Sequence, residues 1–192
     1  MIEAGVDEVG RGPLVGSVIA AAVILNPLKP IMGLADSKVL SKKKKLALAY
    51  SIRDSALDWA IGEATHLEID ELNILQASLL AMKRAVDGLT IRPDNVLVDG
   101  NRSPDIDIPC RAIVKGDATV PAISAASILA KIHRDEQMMT LHQIHPMYGF
   151  DKHKGYPTEQ HLNMLQKHGP IDQHRKTYKP VTKILPRYYH HP

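Results

Sequence analysis

The residues best suited to chemistry are four carboxylates, each of which follows a short apolar run. They are Asp7, Glu8, Asp99 and Asp117, and the runs before them cover residues 2–6, 96–98 and 112–114. Such runs are typical of buried strands, and if the strands are neighbours, the four acids meet at one end of a sheet. Crowded carboxylates repel one another, and Mg²⁺ or Mn²⁺ relieves that repulsion because these cations prefer oxygen ligands. A cation held there polarises phosphates and activates water, so the pattern predicts metal-dependent phosphodiester chemistry.

The adjacent acids Asp7 and Glu8 pose a geometric question. Successive residues of a strand point to opposite faces of the sheet, so both can face one cluster only if the strand ends or twists there. The glycine-rich turn at residues 10–12 favours a local strand end. We expect Asp7 to be the central, bridging ligand and Glu8 to lie at the periphery.

The turn Gly10-Arg11-Gly12 resembles a nucleotide-binding loop in its glycine spacing, which continues to Gly16. The dinucleotide fingerprint requires a helix next, whereas the following residues are typical of a strand, so that interpretation is disfavoured. Glycine lets a ligand approach the backbone closely because it has no Cβ. We therefore expect N–H groups of the turn and the side chain of Arg11 to bind a phosphate or a sugar hydroxyl.

Polar residues recur at helical spacing in a segment predicted to form a long helix. They are Ser124, Ser127, Lys131 and Arg134. Hydroxyls and cations in one line suit phosphate oxygens, but the alternative is an ordinary polar face on which Lys131 pairs with Asp135. Lys38, in the loop before the first helix, is a further candidate phosphate ligand because loops often carry function.

Tyr156 lies in a rigid turn ahead of a helix, since Pro157 restricts it to an extended conformation. A fixed ring beside basic residues can stack on a sugar or a base, although an isolated tyrosine is more often a packed surface residue. The surrounding chain is basic, with eight Lys or Arg and three acids from Pro146 onward. This excess favours a polyanionic partner, with a solvated basic surface as the alternative.

Composition limits the remaining classes of protein. With 192 residues and a net charge of +3, the chain is long enough for one domain with a real core. Its single cysteine, Cys110, excludes an intramolecular disulfide and a cysteine-based zinc site. The N-terminus lacks a signal-peptide pattern, and the longest apolar stretch, residues 18–25, is too short to span a bilayer. We therefore expect a cytoplasmic protein, and separately we expect it to act as a monomer.

The order of predicted elements indicates an α/β fold with a mixed sheet and flanking helices. Strands are predicted over residues 2–9, 17–25, 59–64, 96–98 and 111–114, and the first two are expected to form an antiparallel hairpin. Helices are predicted over residues 42–56, 71–86, 121–141 and 159–168, with Ser41 and Thr158 as N-caps. We expect a single domain over residues 1–192, with a helical, basic subregion from about residue 147.

Taken together, these segments resemble bacterial ribonuclease HII. The matching stretches are GVDEVGRGP (5–13), DSK (36–38), ELNI (71–74), VDGN (98–101), VKGD (114–117), SAASILAK (124–131) and HKGYPT (153–158). They occur in the family's order and cover nearly the whole chain, and together they are highly specific.

The resemblance implies an RNase H-like fold with a C-terminal helical extension. It implies an endonuclease that cleaves the RNA strand of RNA–DNA hybrids and nicks duplex DNA 5′ to single ribonucleotides, as in ribonucleotide excision repair. Its products carry 5′-phosphate and 3′-hydroxyl ends. The family's four acids map to Asp7, Glu8, Asp99 and Asp117, its Gly-Arg-Gly motif to Gly10, Arg11 and Gly12, and its junction-sensing tyrosine to Tyr156.

Mechanistic expectations follow from these assignments. Two Mg²⁺ or Mn²⁺ ions clamp the scissile phosphate between the four acids. Backbone groups of the glycine-rich turn read the ribose 2′-OH, and Tyr156 stacks on the neighbouring deoxyribose. The residues expected to hold phosphates without reading sequence are Lys38, Ser124, Ser127 and Lys131.

Other functions are open at this point. A junction resolvase or transposase core would share the broad fold and would differ in its substrates. A nucleic-acid-binding module without chemistry is disfavoured, because four acids beside a phosphate site would repel the ligand in the absence of metal. A metal phosphatase acting on small esters would leave the basic C-terminal region without a purpose.

Overall fold

The computed structural model describes residues 1–34 and 39–189, and Lys38 lies outside them. Within these ranges the centre of the molecule is a five-stranded mixed sheet. Its strands are β1 (Glu3–Val9), β2 (Val18–Ile24), β3 (Asp58–Ala64), β4 (Asn95–Asp99) and β5 (Cys110–Ile113). They are ordered β3-β2-β1-β4-β5. The β1–β2 and β2–β3 pairs are antiparallel, whereas the β1–β4 and β4–β5 pairs are parallel.

Helices cover both faces of the sheet. They are α1 (Lys42–Ser55), α2 (His66–Leu72), α3 (Ile74–Asp87), α4 (Gly116–Thr119), α5 (Pro121–Ile144), α6 (Phe150–His153), α7 (Glu159–His168), α8 (Lys179–Thr182) and α9 (Leu185–Tyr189), with a 3₁₀ turn at Pro146–Tyr148. The long helix α5 packs on one face together with α1, and α3 packs on the other. Among the described helices, none combines the length and apolarity needed to cross a membrane.

The central strand β2 divides the core into two layers. Every residue of β2 is buried, as expected for a strand covered on both faces. Ala20 and Ala22 pack with the α3 side, whereas Ile19 and Ala21 pack with the α5 side. This period of two assigns alternate residues of the neighbouring strand β1 to the same two faces.

Helix α5 approaches β1 closely at Gly5. A Cβ on Gly5 would lie 2.2 Å from the carbonyl carbon of Ala122 and 2.3 Å from the backbone nitrogen of Ile123. A side chain here would push the helix away, so this glycine sets the distance between the strand that carries Asp7 and the helix that carries Ser127.

The predicted hairpin of the first two strands is confirmed, and the helix predicted over residues 71–86 is confirmed as α3 from Ile74 onward, although residues 71 and 72 belong to the separate helix α2. A capping box between Thr65 and Glu68 begins α2 before the predicted start. The chain then turns at Asn73, whose φ is +74°. The side chain of Asn73 accepts a hydrogen bond from the N–H of Gln76 and so begins α3.

The C-terminal subregion is helical, as predicted, and packs against the loop between β1 and β2. The N–H of Leu14 donates to the carbonyl of Gly155 at 2.8 Å, and the N–H of Arg175 donates to the carbonyl of Leu14 at 2.8 Å. Val15 also forms a β-bridge with His174. The glycine-rich turn is therefore held by the subregion as well as by the sheet.

Candidate active site

As predicted, β1 ends at Val9, just before the glycine-rich turn, but Asp7 and Glu8 are still paired residues of the strand. They therefore point to opposite faces of the sheet. Asp7 is 5% exposed, on the side of α5, where it hydrogen-bonds the side chain of Ser127. Glu8 faces α3 and lines a cleft of about 140 Å³ together with Asp99.

Asp99 and Asp117 are joined directly. Asp99 is the last residue of β4, and its Oδ1 accepts a hydrogen bond of 3.1 Å from the N–H of Asp117. Asp117 lies in the short helix α4 and not directly at the end of β5, because Lys115, with a φ of +57°, turns the chain between them. The side-chain hydroxyl of Ser124 donates to the backbone carbonyl of Asp117 and fixes α4 to α5.

Parallel pairing of β1 and β4 connects the two halves of the site. Val6 is opposite Val98, so Asp7 and Asp99 follow the last paired residues on neighbouring strands. Both strands point their carboxyl ends the same way. The acids therefore gather at one edge of the sheet, between α3 and α5.

Burial and charge repulsion within the site raise the pKa values of Asp7 and Glu8. Burial raises the pKa of Asp7 well above its usual value, and the neighbouring charges of Glu8 and Asp99 raise it further. Burial also raises the pKa of Glu8, opposed by the Arg11 guanidinium, whose Nη1 lies 3.6 Å from Oε1 of Glu8. An anionic site under this strain gains stability when it takes up a proton or a cation.

The acids suit a hard divalent cation. Across residues 1–34 and 39–189, no three His, Cys, Asp or Glu side chains form a ready-made ligand cluster. The opposite orientations of Asp7 and Glu8 account for part of this. Mg²⁺ keeps several waters and uses one or two carboxylates, so the oxygen donors here fit such an ion without a closed cage. The assignment of all four acids as metal ligands stays a prediction.

The glycine-rich turn is held from behind by the buried side chain of Arg175. Its Nη2 donates to the carbonyl of Gly10 at 2.6 Å, and its Nη1 donates to the carbonyl of Arg11 at 3.0 Å. Its Nε donates to the carbonyl of Gly16 at 2.9 Å. Gly10 has a φ of +92°, a conformation that favours glycine. The turn is thus held by an arginine 165 residues away in the sequence, and the hydroxyl of Tyr178 also donates to the carbonyl of Arg11 at 2.6 Å.

A second buried arginine, Arg134 on α5, completes this clamp. It is 1% exposed and donates hydrogen bonds of 3.0–3.2 Å to the carbonyls of Ser17, Val15 and Lys154. Burial lowers its pKa to about 10, which still leaves it charged at neutral pH. Arg134 therefore connects the loop between β1 and β2 to the segment just before Tyr156.

Tyr156 and Gly12 face each other across this junction. A Cβ placed on Gly12 would lie 3.2 Å from Cε1 of the Tyr156 ring. The ring itself is exposed, at 41%, and Arg11 and Gly12 are also at the surface. The exposed turn and the exposed ring form one continuous surface beside the acids.

The expected phosphate-binding residues have different environments. Ser127 is half-buried beside Asp7, and Lys131 forms an ion pair with Asp135, with 2.6 Å between Nζ and Oδ1. Ser124 is fully buried. Its burial argues against the expected direct contact with phosphate and favours a role in holding Asp117. Lys38 lies outside the described residues.

Sequence reasoning missed the arginine clamp. The sequence pattern places Arg134 on a polar helix face, and Arg175 is one of the eight cations of the basic region from Pro146 onward, yet both side chains are buried. Their partners are backbone carbonyls up to 165 residues away, and a carbonyl carries no signature in the sequence. The type of the residue therefore gave no signal of its role.

The fold and the acidic site together define a ribonuclease H-like enzyme. The structure of ribonuclease H2 from Pyrococcus horikoshii superimposes with a TM-score of 0.81 and 28% identity, covering all of both chains. The mixed five-stranded sheet with helices on both faces is thus the RNase H-like fold that the resemblance implied.

Comparison with known sequences identifies the family. A profile of the ribonuclease HII family matches residues 4–181. Ribonuclease HII of Acinetobacter baylyi is 61% identical over 183 residues, covering 95% of this chain and 97% of that protein. Ribonuclease HII of Vibrio vulnificus is 58% identical over 182 residues, covering 95% and 88%. The chain belongs to the ribonuclease HII family and is a metal-dependent endonuclease of the ribonuclease H type.

Proposed function

We propose that this enzyme hydrolyses the RNA strand of RNA–DNA hybrids and nicks duplex DNA on the 5′ side of single embedded ribonucleotides. The products carry 5′-phosphate and 3′-hydroxyl ends. The observation that carries the proposal is the surface formed by the exposed turn at residues 10–12 and the ring of Tyr156, directly beside the buried acids. Residues 1–192 act as one catalytic unit and as a monomer.

The four acids have different roles in holding metal ions at the scissile phosphate. Together they would hold two Mg²⁺ or Mn²⁺ ions, which would supply an activated water and charge stabilisation for the departing 3′ oxygen. Asp7 would contribute to holding both ions, because it is buried within reach of the charges of Glu8 and Asp99. Glu8 approaches from the α3 side, whereas Asp99 lies on the same face of the sheet as Asp7 and accepts the hydrogen bond that holds Asp117. Ser127 fixes the carboxylate of Asp7 by its hydrogen bond.

The turn supplies donors for the ribose. The carbonyls of Gly10 and Arg11 point to Arg175, and in a trans peptide the following N–H points the opposite way. The N–H groups of Arg11 and Gly12 therefore point away from the clamp and can donate to a 2′-OH. Since DNA lacks that hydroxyl, this contact distinguishes RNA from DNA.

Tyr156 reads the other side of the junction. Its ring stacks on the deoxyribose that follows the ribonucleotide, where an additional hydroxyl would clash. Phosphates on both sides are held by Lys38, Lys131 and the cations of the C-terminal subregion, without reading sequence.

A substrate panel tests this function. Three duplexes of identical sequence carry one ribonucleotide, a full RNA strand, or DNA alone, and the cut is mapped to one nucleotide in Mg²⁺. We expect one nick 5′ to the single ribonucleotide, multiple cuts in the RNA strand, and no cut in DNA. Cleavage of the all-DNA duplex, or of a four-way DNA junction, would support a resolvase and refute the proposal.

A further inference from the structure

Three buried histidines lie beneath the turn that carries Tyr156. The rings of His153 and His161 stack with 4.6 Å between centroids and 9° between planes. Nε2 of His161 lies 3.0 Å from Nε2 of His174, and both of these residues are 0% exposed. Two imidazole nitrogens at this distance require that one donates and the other accepts.

Backbone groups decide which nitrogen donates. The N–H of Ile171 donates to Nδ1 of His174 at 2.9 Å, so the neutral ring of His174 carries its proton on Nε2. At the other end, Nδ1 of His161 lies 3.0 Å from the carbonyl oxygen of Tyr156, which can only accept. His161 therefore carries its proton on Nδ1 and accepts from His174 at Nε2.

The result is a hydrogen-bond chain with one direction. It runs from the N–H of Ile171 through His174 and His161 to the carbonyl of Tyr156. Burial lowers the pKa of His161 to about 4 and that of His174 to about 3, so both rings are neutral at neutral pH. A neutral pair with fixed partners leaves a single arrangement of protons.

We infer that His161, held in its Nδ1–H tautomer by His174, is a positioning residue that fixes Tyr156 against Gly12. The inference rests on the proposed role of Tyr156 in reading the junction. The Tyr156 carbonyl accepts from Nδ1 of His161 and also from the N–H of Thr158 at 2.8 Å. The N–H of Tyr156 donates to the carbonyl of His153 at 3.0 Å, so losing the His161 bond removes one of the two hydrogen bonds that anchor Tyr156 to buried histidines.

Two features make this anchor specific for substrate reading. The Tyr156 ring is exposed, so packing alone does not fix its orientation. The acids are held by other groups, namely the β1–β4 pairing and the bonds to Asp99 and Asp117. Disturbing His161 should therefore affect recognition of the junction more than the chemical step on a long hybrid.

Four variants separate positioning from general destabilisation. His161→Leu removes both bonds, whereas His161→Asn keeps a donor near the Nδ1 position. His168→Leu is the matched control, because His168 is an exposed histidine on the same helix. Tyr156→Ala reports on the proposed function itself. For each, kcat and KM are measured on the single-ribonucleotide duplex and on a long hybrid, with thermal unfolding to check folding.

The quantity compared is kcat/KM on the single-ribonucleotide duplex divided by kcat/KM on the long hybrid. We expect His161→Leu to lower this ratio by about tenfold, because small displacements of groups in a site are costly to the rate. His161→Asn should recover most of that ratio, and His168→Leu should match wild type. Equal losses on both substrates, or no recovery by His161→Asn, would overturn the inference. If Tyr156→Ala leaves the ratio unchanged, the proposed role of Tyr156 fails, and this inference with it.

The tautomers can be measured on the unmodified enzyme, so the inference stays testable even if His161→Leu does not fold. Long-range ¹⁵N–¹H correlation spectra distinguish Nδ1–H from Nε2–H rings. We expect His161 as the Nδ1–H form and His174 as the Nε2–H form at pH 7. The opposite assignment for His161 would contradict the hydrogen-bond chain.

Discussion

The backbone N–H of Asp117 donates a hydrogen bond of 3.1 Å to Oδ1 of Asp99. This bond joins the last residue of β4 to the short helix α4, 18 residues further along the chain. Because β4 lies parallel to β1, the same bond brings Asp117 to the edge of the sheet where Asp7 is buried. The acidic site is therefore assembled by strand pairing and one cross-link, and not by a local sequence motif.

Divalent cations should stabilise this site in a pH-dependent way. The raised pKa of Asp7 means that its contribution to stability is full below the unfolded-state value, near 3.8, and is lost as pH rises through the folded-state pKa. A cation binds the ionised acids and offsets that loss. We expect Mg²⁺ to raise the melting temperature more at pH 8 than at pH 5.

The expected rise in melting temperature follows from the linkage between Mg²⁺ binding and folding. A hundredfold excess of Mg²⁺ over its Kd stabilises by about 2.7 kcal/mol, and each kcal/mol raises the Tm by about 2–4 °C in a protein of this size. Differential scanning fluorimetry measures the shift. Asp7→Asn should lose most of it, whereas Asp105→Asn, at an exposed site, should keep it. Equal Mg²⁺ shifts at both pH values would count against the acids as the binding site.

The arginine clamp predicts a large stability loss for Arg175→Lys. Lysine cannot reach the carbonyls of Gly10 and Gly16 together, and each buried acceptor left without a partner costs about 1–3 kcal/mol. The carbonyl of Arg11 would keep the hydrogen bond from the Tyr178 hydroxyl. We expect a loss of about 2–5 kcal/mol in urea unfolding, and reduced cleavage. Arg187→Lys at an exposed position is the control. A change within about 0.5 kcal/mol would show that the clamp is not needed.

Tyr156→Ala should lower cleavage at a lone ribonucleotide more than it lowers affinity. The exposed ring contributes its contact at the junction, so we expect a fall of about tenfold or more in kcat for that substrate, with a smaller effect on long hybrids. Tyr50→Ala, at an exposed position on α1, should leave both unchanged. A uniform fall across the substrate panel would remove the junction-reading role.

Phosphate contacts should make binding sensitive to salt. Each neutralised phosphate contributes about −0.9 to the slope of log K against log [salt], so roughly four contacts weaken binding about a hundredfold between 50 and 200 mM. Fluorescence anisotropy with a labelled hybrid, in the absence of divalent ions, gives the slope. Replacing a lysine that contacts a phosphate should make the slope of log K against log [salt] less negative by about 1. A flat response would exclude an interface dominated by phosphates.

Much of the fold could be predicted because its signals are local. The apolar runs of β1 and β2, the short link between them, and the N-caps at Ser41 and Thr158 each depend on a few neighbouring residues. The helix break at Asn73 was missed because the apolar spacing continues across it. Only the left-handed φ of Asn73 separates the two helices, and spacing carries no information about φ.

The acids of the candidate site could be predicted from the sequence, but the residues that hold its backbone in place could not. Residue type and position at a strand end are enough to predict Asp7 and Asp99 as site residues. Arg175 and His161 act through backbone carbonyls, and their environment depends on contacts distant in the sequence. Ser124 shares its spacing with Ser127, yet the packing of α5 on α4 buries one and leaves the other partly accessible.

The most direct test of the account compares wild type with Asp99→Asn on a duplex that carries one ribonucleotide, across a Mg²⁺ titration. Asparagine retains an oxygen that can accept from Asp117 but removes the charge. We expect wild type to nick 5′ to the ribonucleotide only with Mg²⁺. We expect Asp99→Asn to lose more than about a hundredfold in rate while binding the duplex normally. This loss exceeds the roughly 10–100-fold typical of residues that only hydrogen-bond to a metal ligand. Nicking by wild type without divalent ions, or wild-type rates in Asp99→Asn, would contradict the account.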